Sequence, residues 1–201
     1  MFTGIVEDTG EISLVRTQGE TLIGVKPSKL DADSIQIGES IAVNGVCLTV
    51  VSIENGAFFV QASDETLSKT TLGEAVRGAV VNLERSVSPD GLMGGHIVTG
   101  HIDGVGEIES AAERGESVEF IVSLPPEYMK YIVPKCCVTL NGVSLTVNDA
   151  DDKGFSVNII PHTLSHTTFS SLSAGSKVNF ECDIVAKYVE RLVGFSGEKT
   201  S

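Results

Sequence analysis

The chain has 201 residues, 41% of them hydrophobic, with a formal net charge of -13. That length suits one large domain or two of about 100 residues, with enough apolar content for a core. The acidic balance argues against a nucleic-acid partner and against a polybasic membrane contact, and no apolar run approaches the roughly 18 residues of a membrane span.

Strand-like alternation begins at once, over 4–15, with no charged leader before it, so cytoplasmic is the default reading. A turn at Gln18-Gly19-Glu20 leads into a strand over 21–25, and a short helix is expected over 28–33. Strands follow at 40–43, 46–53, 57–62 and 80–87, separated by Asn44-Gly45 and Asn55-Gly56 turns. The second half gives the same series at 99–109, 117–124, 137–140, 143–149, 155–160 and 177–183, with a short helix over 125–131. Only the C-terminal end has a helical period: Ile184, Val185, Tyr188, Val189, Leu192 and Val193 make one apolar stripe, with Asp183 as a start cap and Gly194 as an end cap. The stripe either packs on its own domain or associates copies of the chain, and the tail 196–201 is expected to fray.

The two halves repeat each other. Asn44-Gly45-Val46-Cys47-Leu48-Thr49-Val50 recurs as Asn141-Gly142-Val143-Ser144-Leu145-Thr146-Val147, identical at six of seven positions. The block 3–12 matches 99–108, 65–72 matches 162–169, and 81–84 matches 178–181, in the same order and at offsets of 96 and then 97. This predicts an all-β protein of two homologous six-stranded antiparallel barrels, residues 1–96 and 97–186, followed by a helix over 184–194. The linker is the glycine-rich stretch 88–95.

Where matched positions differ, the chemistry differs. Cys47 faces Ser144 in the alignment, Ile5 faces His101, Glu65 faces His162, Lys69 faces His166, Gly38 faces Lys135 and Ser86 faces Asp183. Cys47 reads either as a small buried hydrophobe or as a nucleophile, and no base lies beside it in sequence. His101 is a candidate general acid or base. His96 and His101 would point to opposite faces of a strand, and His162 and His166 share a helix face but lack a third ligand, so metal binding is not expected. The four cysteines form no Cys-x-x-Cys pair, and adjacent Cys136 and Cys137 point to opposite faces, which argues for free thiols. The glycines around 98–106 do not follow a dinucleotide fingerprint.

Taken together, Met1-Phe2-Thr3-Gly4-Ile5-Val6-Glu7, the doubled Asn-Gly-Val-x-Leu-Thr-Val, Gly94-Gly95-His96 with Thr99-Gly100-His101-Ile102, Ile160-Pro161-His162-Thr163-Leu164 and the run Asp183 to Leu192 resemble the riboflavin synthase family over nearly the whole chain. The resemblance implies a cofactor- and metal-independent dismutation of two 6,7-dimethyl-8-ribityllumazine molecules into riboflavin and 5-amino-6-ribitylaminouracil. It implies a homotrimer held by the C-terminal helix, with each active site between the N-terminal barrel of one chain and the C-terminal barrel of a neighbour. Association with lumazine synthase is left open. The first pocket would be lined by Gly4, Ile5, Val6, Cys47, Leu48, Thr49, Gln61, Ala62, Ser63, Asp64, Glu65 and Thr66. The second would use Gly100, His101, Ile102, Lys135, Ser144, Leu145, Thr146, Asn158, Ile159, Ile160, Pro161, His162 and Thr163. Cys47, His101, Ser144 and Asp183 are the expected catalytic residues. The alternative within this resemblance is a non-catalytic lumazine- or flavin-binding antenna protein. Lys135-Cys136-Cys137 departs from the small residues that commonly follow this lysine.

Overall fold

The structure is a computed structural model that describes residues 1–17 and 19–197. Gln18 of the expected first turn and residues 198–201 of the expected tail lie outside them. The first half holds β1 (Asp8–Thr17), β2 (Thr21–Pro27), β3 (Ser40–Val43), β4 (Val46–Glu54), β5 (Ala57–Ala62), α1 (Asp64–Lys69) and β6 (Val80–Arg85). The second holds β7 (Gly104–Arg114), β8 (Ser117–Ser123), α2 (Pro126–Met129), β9 (Cys137–Leu140), β10 (Val143–Ala150), β11 (Phe155–Ile159), α3 (Pro161–His166) and β12 (Lys177–Cys182), and α4 (Ile184–Gly197) closes the described chain. Each set of six strands forms a closed antiparallel barrel, in the order β1-β2-β5-β4-β3-β6 and β10-β11-β8-β7-β12-β9. Closure leaves no strand edge open to another sheet.

Each barrel encloses its own core. Ile12, Ile23, Val25, Phe58, Val60 and Leu83 fill the first; Ile108, Phe120, Phe155, Val157 and Phe180 fill the second. The Asn-Gly hairpins form because both central residues stand at positive φ, 45° at Asn44 with 80° at Gly45, and 45° at Asn141 with 81° at Gly142. That is the two-residue turn whose twist matches antiparallel strands.

Several boundaries differ from the sequence reading. β1 starts at Asp8 and β7 at Gly104, four and five residues late, because Gly4 and Gly100 take φ of 75° and 77° and leave extended geometry. The helix expected over 28–33 is a 3-10 turn at Ala32–Ser34, capped by Asp31. α1 was not expected as an element, and α3 only through the helix face shared by His162 and His166. Ser63 Oγ accepts the Thr66 N–H at 3.2 Å to start α1, and Pro161 starts α3. Gly194 does not end α4, which continues to Gly197. Asp183 does cap its start, accepting the Val185 N–H at 2.9 Å.

The doubled motif lies on the seam between the barrels. Asn82 Nδ2 donates to the Asn141 carbonyl at 2.9 Å, and Asn179 Nδ2 donates to the Asn44 carbonyl at 2.9 Å. Asn82 Oδ1 accepts the Thr168 N–H at 2.8 Å, and Asn179 Oδ1 accepts the Thr71 N–H at 2.7 Å. A Cβ on Gly45 would lie 2.7 Å from the Gly142 nitrogen, so the two turns touch backbone to backbone. The repeated asparagines and glycines thus bind the halves about a local two-fold. Asn179 is 0% exposed. Asn179→Ala is expected to cost about 1–3 kcal/mol in urea unfolding, since it leaves the part-buried Thr71 N–H and Asn44 carbonyl without their seam partner.

α4 rests on the second barrel by its polar side. Lys187 pairs with Asp103 at 2.6 Å, and Glu190 meets Lys130 and Tyr131. The apolar stripe faces outward instead, with Val185, Tyr188, Val189 and Val193 each more than half exposed. Of the two readings of the stripe, packing on its own barrel is not what the chain does. Among the described residues no helix is long and apolar enough to cross a membrane.

Candidate active site

Two buried glutamates organise the candidate site. Glu84 at the end of the first barrel accepts the Thr3 N–H at 2.6 Å, the Thr3 hydroxyl at 2.8 Å and the Gly4 N–H at 3.0 Å. Glu181 of the second barrel takes the Thr99 N–H and hydroxyl at 2.7 Å each and the Gly100 N–H at 2.9 Å. Burial pushes the Glu84 carboxyl up, against the pull of the Thr3 and Gly4 donors. Each Thr-Gly pair is pinned to its own barrel and then turned away from it.

The turned segments cross to the opposite barrel. The Gly4 carbonyl accepts the Ser144 N–H at 2.7 Å, and the Gly100 carbonyl accepts the Cys47 N–H at 2.9 Å. A Cβ on either glycine would fall 2.6 Å from the Cβ of that partner, so only glycine permits the approach. Val6 then packs on the second core and Ile102 on the first. The expected grouping is therefore exchanged. Gly4, Ile5 and Val6 accompany Ser144, while Gly100, His101 and Ile102 accompany Cys47.

Strand alternation sorts the remaining expected residues. On the outer face of the first barrel, Cys47 and Thr49 of β4 stand opposite Ala42 and Ser40 of β3. The Val50–Val60 pair places Thr49 across from Gln61. Ser63, Asp64, Glu65 and Thr66 continue from there into α1. On the second barrel, Ser144 and Thr146 of β10 stand opposite Thr139 and Cys137 of β9. Asn158 is exposed on β11, ahead of Ile160, Pro161, His162 and Thr163 at the start of α3. Leu48, Ala62, Leu145 and Ile159 do not join either face. They are buried in the cores, and their side chains are unavailable to a ligand.

The same outer position carries different chemistry in each barrel. In the first, Cys47 packs with Phe2, Ala42 and Val98 in a small apolar cluster. In the second, a histidine occupies the corresponding place. His96 Nδ1 lies 2.7 Å from Ser144 Oγ, and its Nε2 lies 3.2 Å from Thr139 Oγ1. Burial holds the His96 pKa below the usual imidazole value, while the charge of Asp183 acts the other way. A neutral imidazole bonded to a hydroxyl can relay a proton. The sequence reading set His96 aside after weighing it only as a metal ligand. Its signal was Gly95, where a Cβ would sit 2.1 Å from the Thr3 carbonyl oxygen and block the His96 segment.

Lys135 stands at φ 72° where the first barrel has Gly38 at φ 89°. Its N–H donates to the Val147 carbonyl at 2.8 Å, matching Gly38 and Val50 at 2.8 Å. A left-handed lysine costs about 1–2 kcal/mol relative to the glycine at the matched position. Asp183 sits close enough to push up the thiols of Cys136 and Cys137, after burial as the larger cause. Cys182 lies deep in the core, and burial raises its thiol to about 12. Cys47, Cys136, Cys137 and Cys182 are all free. Among the described residues no group of three or more His, Cys, Asp and Glu side chains could hold a metal ion.

The paired closed barrels with crossed segments are a duplicated domain: residues 3–86 and 99–183 each match the lumazine binding domain family. The chain is 45% identical to a riboflavin synthase of Actinobacillus pleuropneumoniae, covering 96% of this chain and 90% of that one. It is 40% identical to a riboflavin synthase of Bacillus subtilis (strain 168), covering 98% and 92%. Among solved structures, LumP complexed with 6,7-dimethyl-8-(1'-D-ribityl) lumazine is similar at a TM-score of 0.81 and 27% identity, covering 90% of this chain and 99% of that one. LumP complexed with riboflavin gives a TM-score of 0.82 and 29% identity over the same shares. The chain belongs to the riboflavin synthase family of lumazine-binding-domain proteins.

Proposed function

We propose that the protein is a riboflavin synthase, converting two molecules of 6,7-dimethyl-8-ribityllumazine into riboflavin and 5-amino-6-ribitylaminouracil by transfer of a four-carbon unit. The observation that carries this reading is the pair of homologous outer faces whose central side chains differ, a thiol among apolar groups at Cys47 and a hydroxyl on an imidazole at Ser144. The reaction joins two identical molecules in opposite parts, donor and acceptor. Two related but unequal pockets serve that need by proximity and orientation. The lumazine ring delocalises the anion formed at its 7-methyl group, so positioning with modest proton transfer is enough, worth about 10²–10⁴-fold.

The residues divide accordingly. Cys47, Thr49, Gln61, Ser63 to Thr66 and the crossed Gly100, His101 and Ile102 line one lumazine site, with the 1–96 segment as its domain. Ser144, Thr146, Asn158, Ile160 to Thr163, Lys135 and the crossed Gly4, Ile5 and Val6 line the other, in the 97–186 domain. His101, Ser144 and Asp183 move protons, and Cys47 touches the ring. The exposed stripe of α4 associates three chains, which brings the first barrel of one against the second barrel of its neighbour. Cytoplasmic residence and docking with lumazine synthase fit this role.

Incubating the protein with the lumazine alone tests the reading. One riboflavin formed per two lumazines consumed supports it; tight binding without turnover would make the protein a binding-only relative instead. In the same assay His101→Ala is expected to lower turnover about 10²-fold. Unchanged turnover would remove His101 from acid–base work.

A further inference from the structure

The second repeat carries two imidazoles where the first has Glu65 and Lys69, and the proposed reaction uses only one of them. His162 and His166 lie four residues apart on α3, so they share one face of the helix. Both are exposed. Their rings stack with centroids 4.2 Å apart and planes 17° apart. His166 Nδ1 lies 2.8 Å from the His162 carbonyl oxygen. A carbonyl oxygen only accepts, so Nδ1 carries the proton and Nε2 keeps its lone pair. Ser165 Oγ, which donates to the same carbonyl at 3.0 Å and lies 3.0 Å from Nδ1, holds the ring in that orientation. An Nδ1–H bonded to a backbone carbonyl is the second-sphere arrangement that orients metal-ligating histidines. The His162 ring makes no hydrogen bond to another described residue; its one neighbour among the rings is His166, on the same helix face.

We propose that His162 and His166 form a two-imidazole site for a borderline divalent cation of the Zn²⁺ or Ni²⁺ type, and that filling it impairs the second pocket by holding His162 on the metal. Imidazole suits these ions, and water completes the coordination. With two protein ligands the site is open and binds more weakly than a closed four-ligand zinc site. The binding step is independent of the reaction; only the inhibitory step rests on the proposed lining of the second pocket.

Calorimetric titration of the whole chain with Ni²⁺ tests the site, since Ni²⁺ favours imidazole over the thiols of Cys136 and Cys137 less ambiguously than Zn²⁺ does. One saturable equivalent per chain is expected, lost in His166→Gln and in His162→Gln. Absence of binding, or equal binding by His166→Gln, overturns the site. Turnover of the lumazine is then followed with and without Ni²⁺. The wild type should slow as the site fills, and His166→Gln should run at the wild-type rate and ignore the metal. If binding depends on His166 but turnover does not respond, the site stands and the inhibitory step falls. If no lumazine is turned over at all, the enzymatic reading fails while the titration still decides the site.

Discussion

Glu181→Ala is expected to destabilise the protein by about 3–5 kcal/mol in urea unfolding. The carboxylate is 2% exposed and receives three donors, the Thr99 N–H, the Thr99 hydroxyl and the Gly100 N–H. Each orphaned buried donor costs roughly 1–3 kcal/mol, less what water recovers in the space left behind. Glutamine does not repair the loss, because its amide nitrogen would face a donor. Thr99→Val, which removes the hydroxyl donor and the exposed acceptor of the His101 N–H at 3.3 Å but leaves the two backbone bonds to Glu181, should cost only about 1 kcal/mol. The consequence reaches the site by one bond. The Gly100 carbonyl holds the Cys47 N–H at 2.9 Å, so the first pocket loses its crossed segment when Glu181 is removed. A Glu181→Ala protein as stable as the wild type would show that the Thr-Gly pair is anchored elsewhere. Glu84→Ala probes the mirror arrangement through Gly4 and Ser144.

The barrels were legible because closed sheets are written in local patterns. Alternation over 46–53, the Asn-Gly turns and the repeat offset are all short-range signals. The crossing was not legible, because it depends on where two turns meet across the seam. Nothing in Thr3-Gly4 states that Ser144 waits beyond it; only the identity of Thr99-Gly100, read together with Glu84 and Glu181, hints that each pair serves the same anchor. For the same reason Leu48, Ala62, Leu145 and Ile159 entered the expected site as members of contiguous runs, although period two sends them into the cores. α1 was missed, and α3 was legible only as the helix face shared by His162 and His166, because six residues are too few to establish a helical period. The outward stripe of α4 was legible as a stripe, but its direction is set by Lys187 and Glu190, whose partners Asp103, Lys130 and Tyr131 lie far off in sequence.

The largest catalytic effect expected away from Cys47 and His101 is at His96. His96→Ala should lower turnover about 10²–10³-fold, with lumazine binding affected far less. Its ring bridges Ser144 Oγ and Thr139 Oγ1, which would let it position the Ser144 hydroxyl and hold its proton. Ser144→Ala should fall by a similar factor, and the double variant should be little worse than either single one, because groups acting as a unit are not additive. The pH profile separates this role from mere packing. Burial holds the His96 pKa below the usual imidazole value, against the charge of Asp183, so the neutral form persists to lower pH than in a free imidazole. Turnover should decline as pH falls through the depressed pKa, and His96→Ala should lose that acid limb. Stability follows the same sign. Below about 6.5 an unfolded histidine takes up a proton that the folded one resists, so its share of stability is present above that pH and lost as pH falls. A His96→Ala protein that keeps the acid limb, or keeps wild-type turnover, would return the proton transfer to His101 and leave Ser144 to orient the ring.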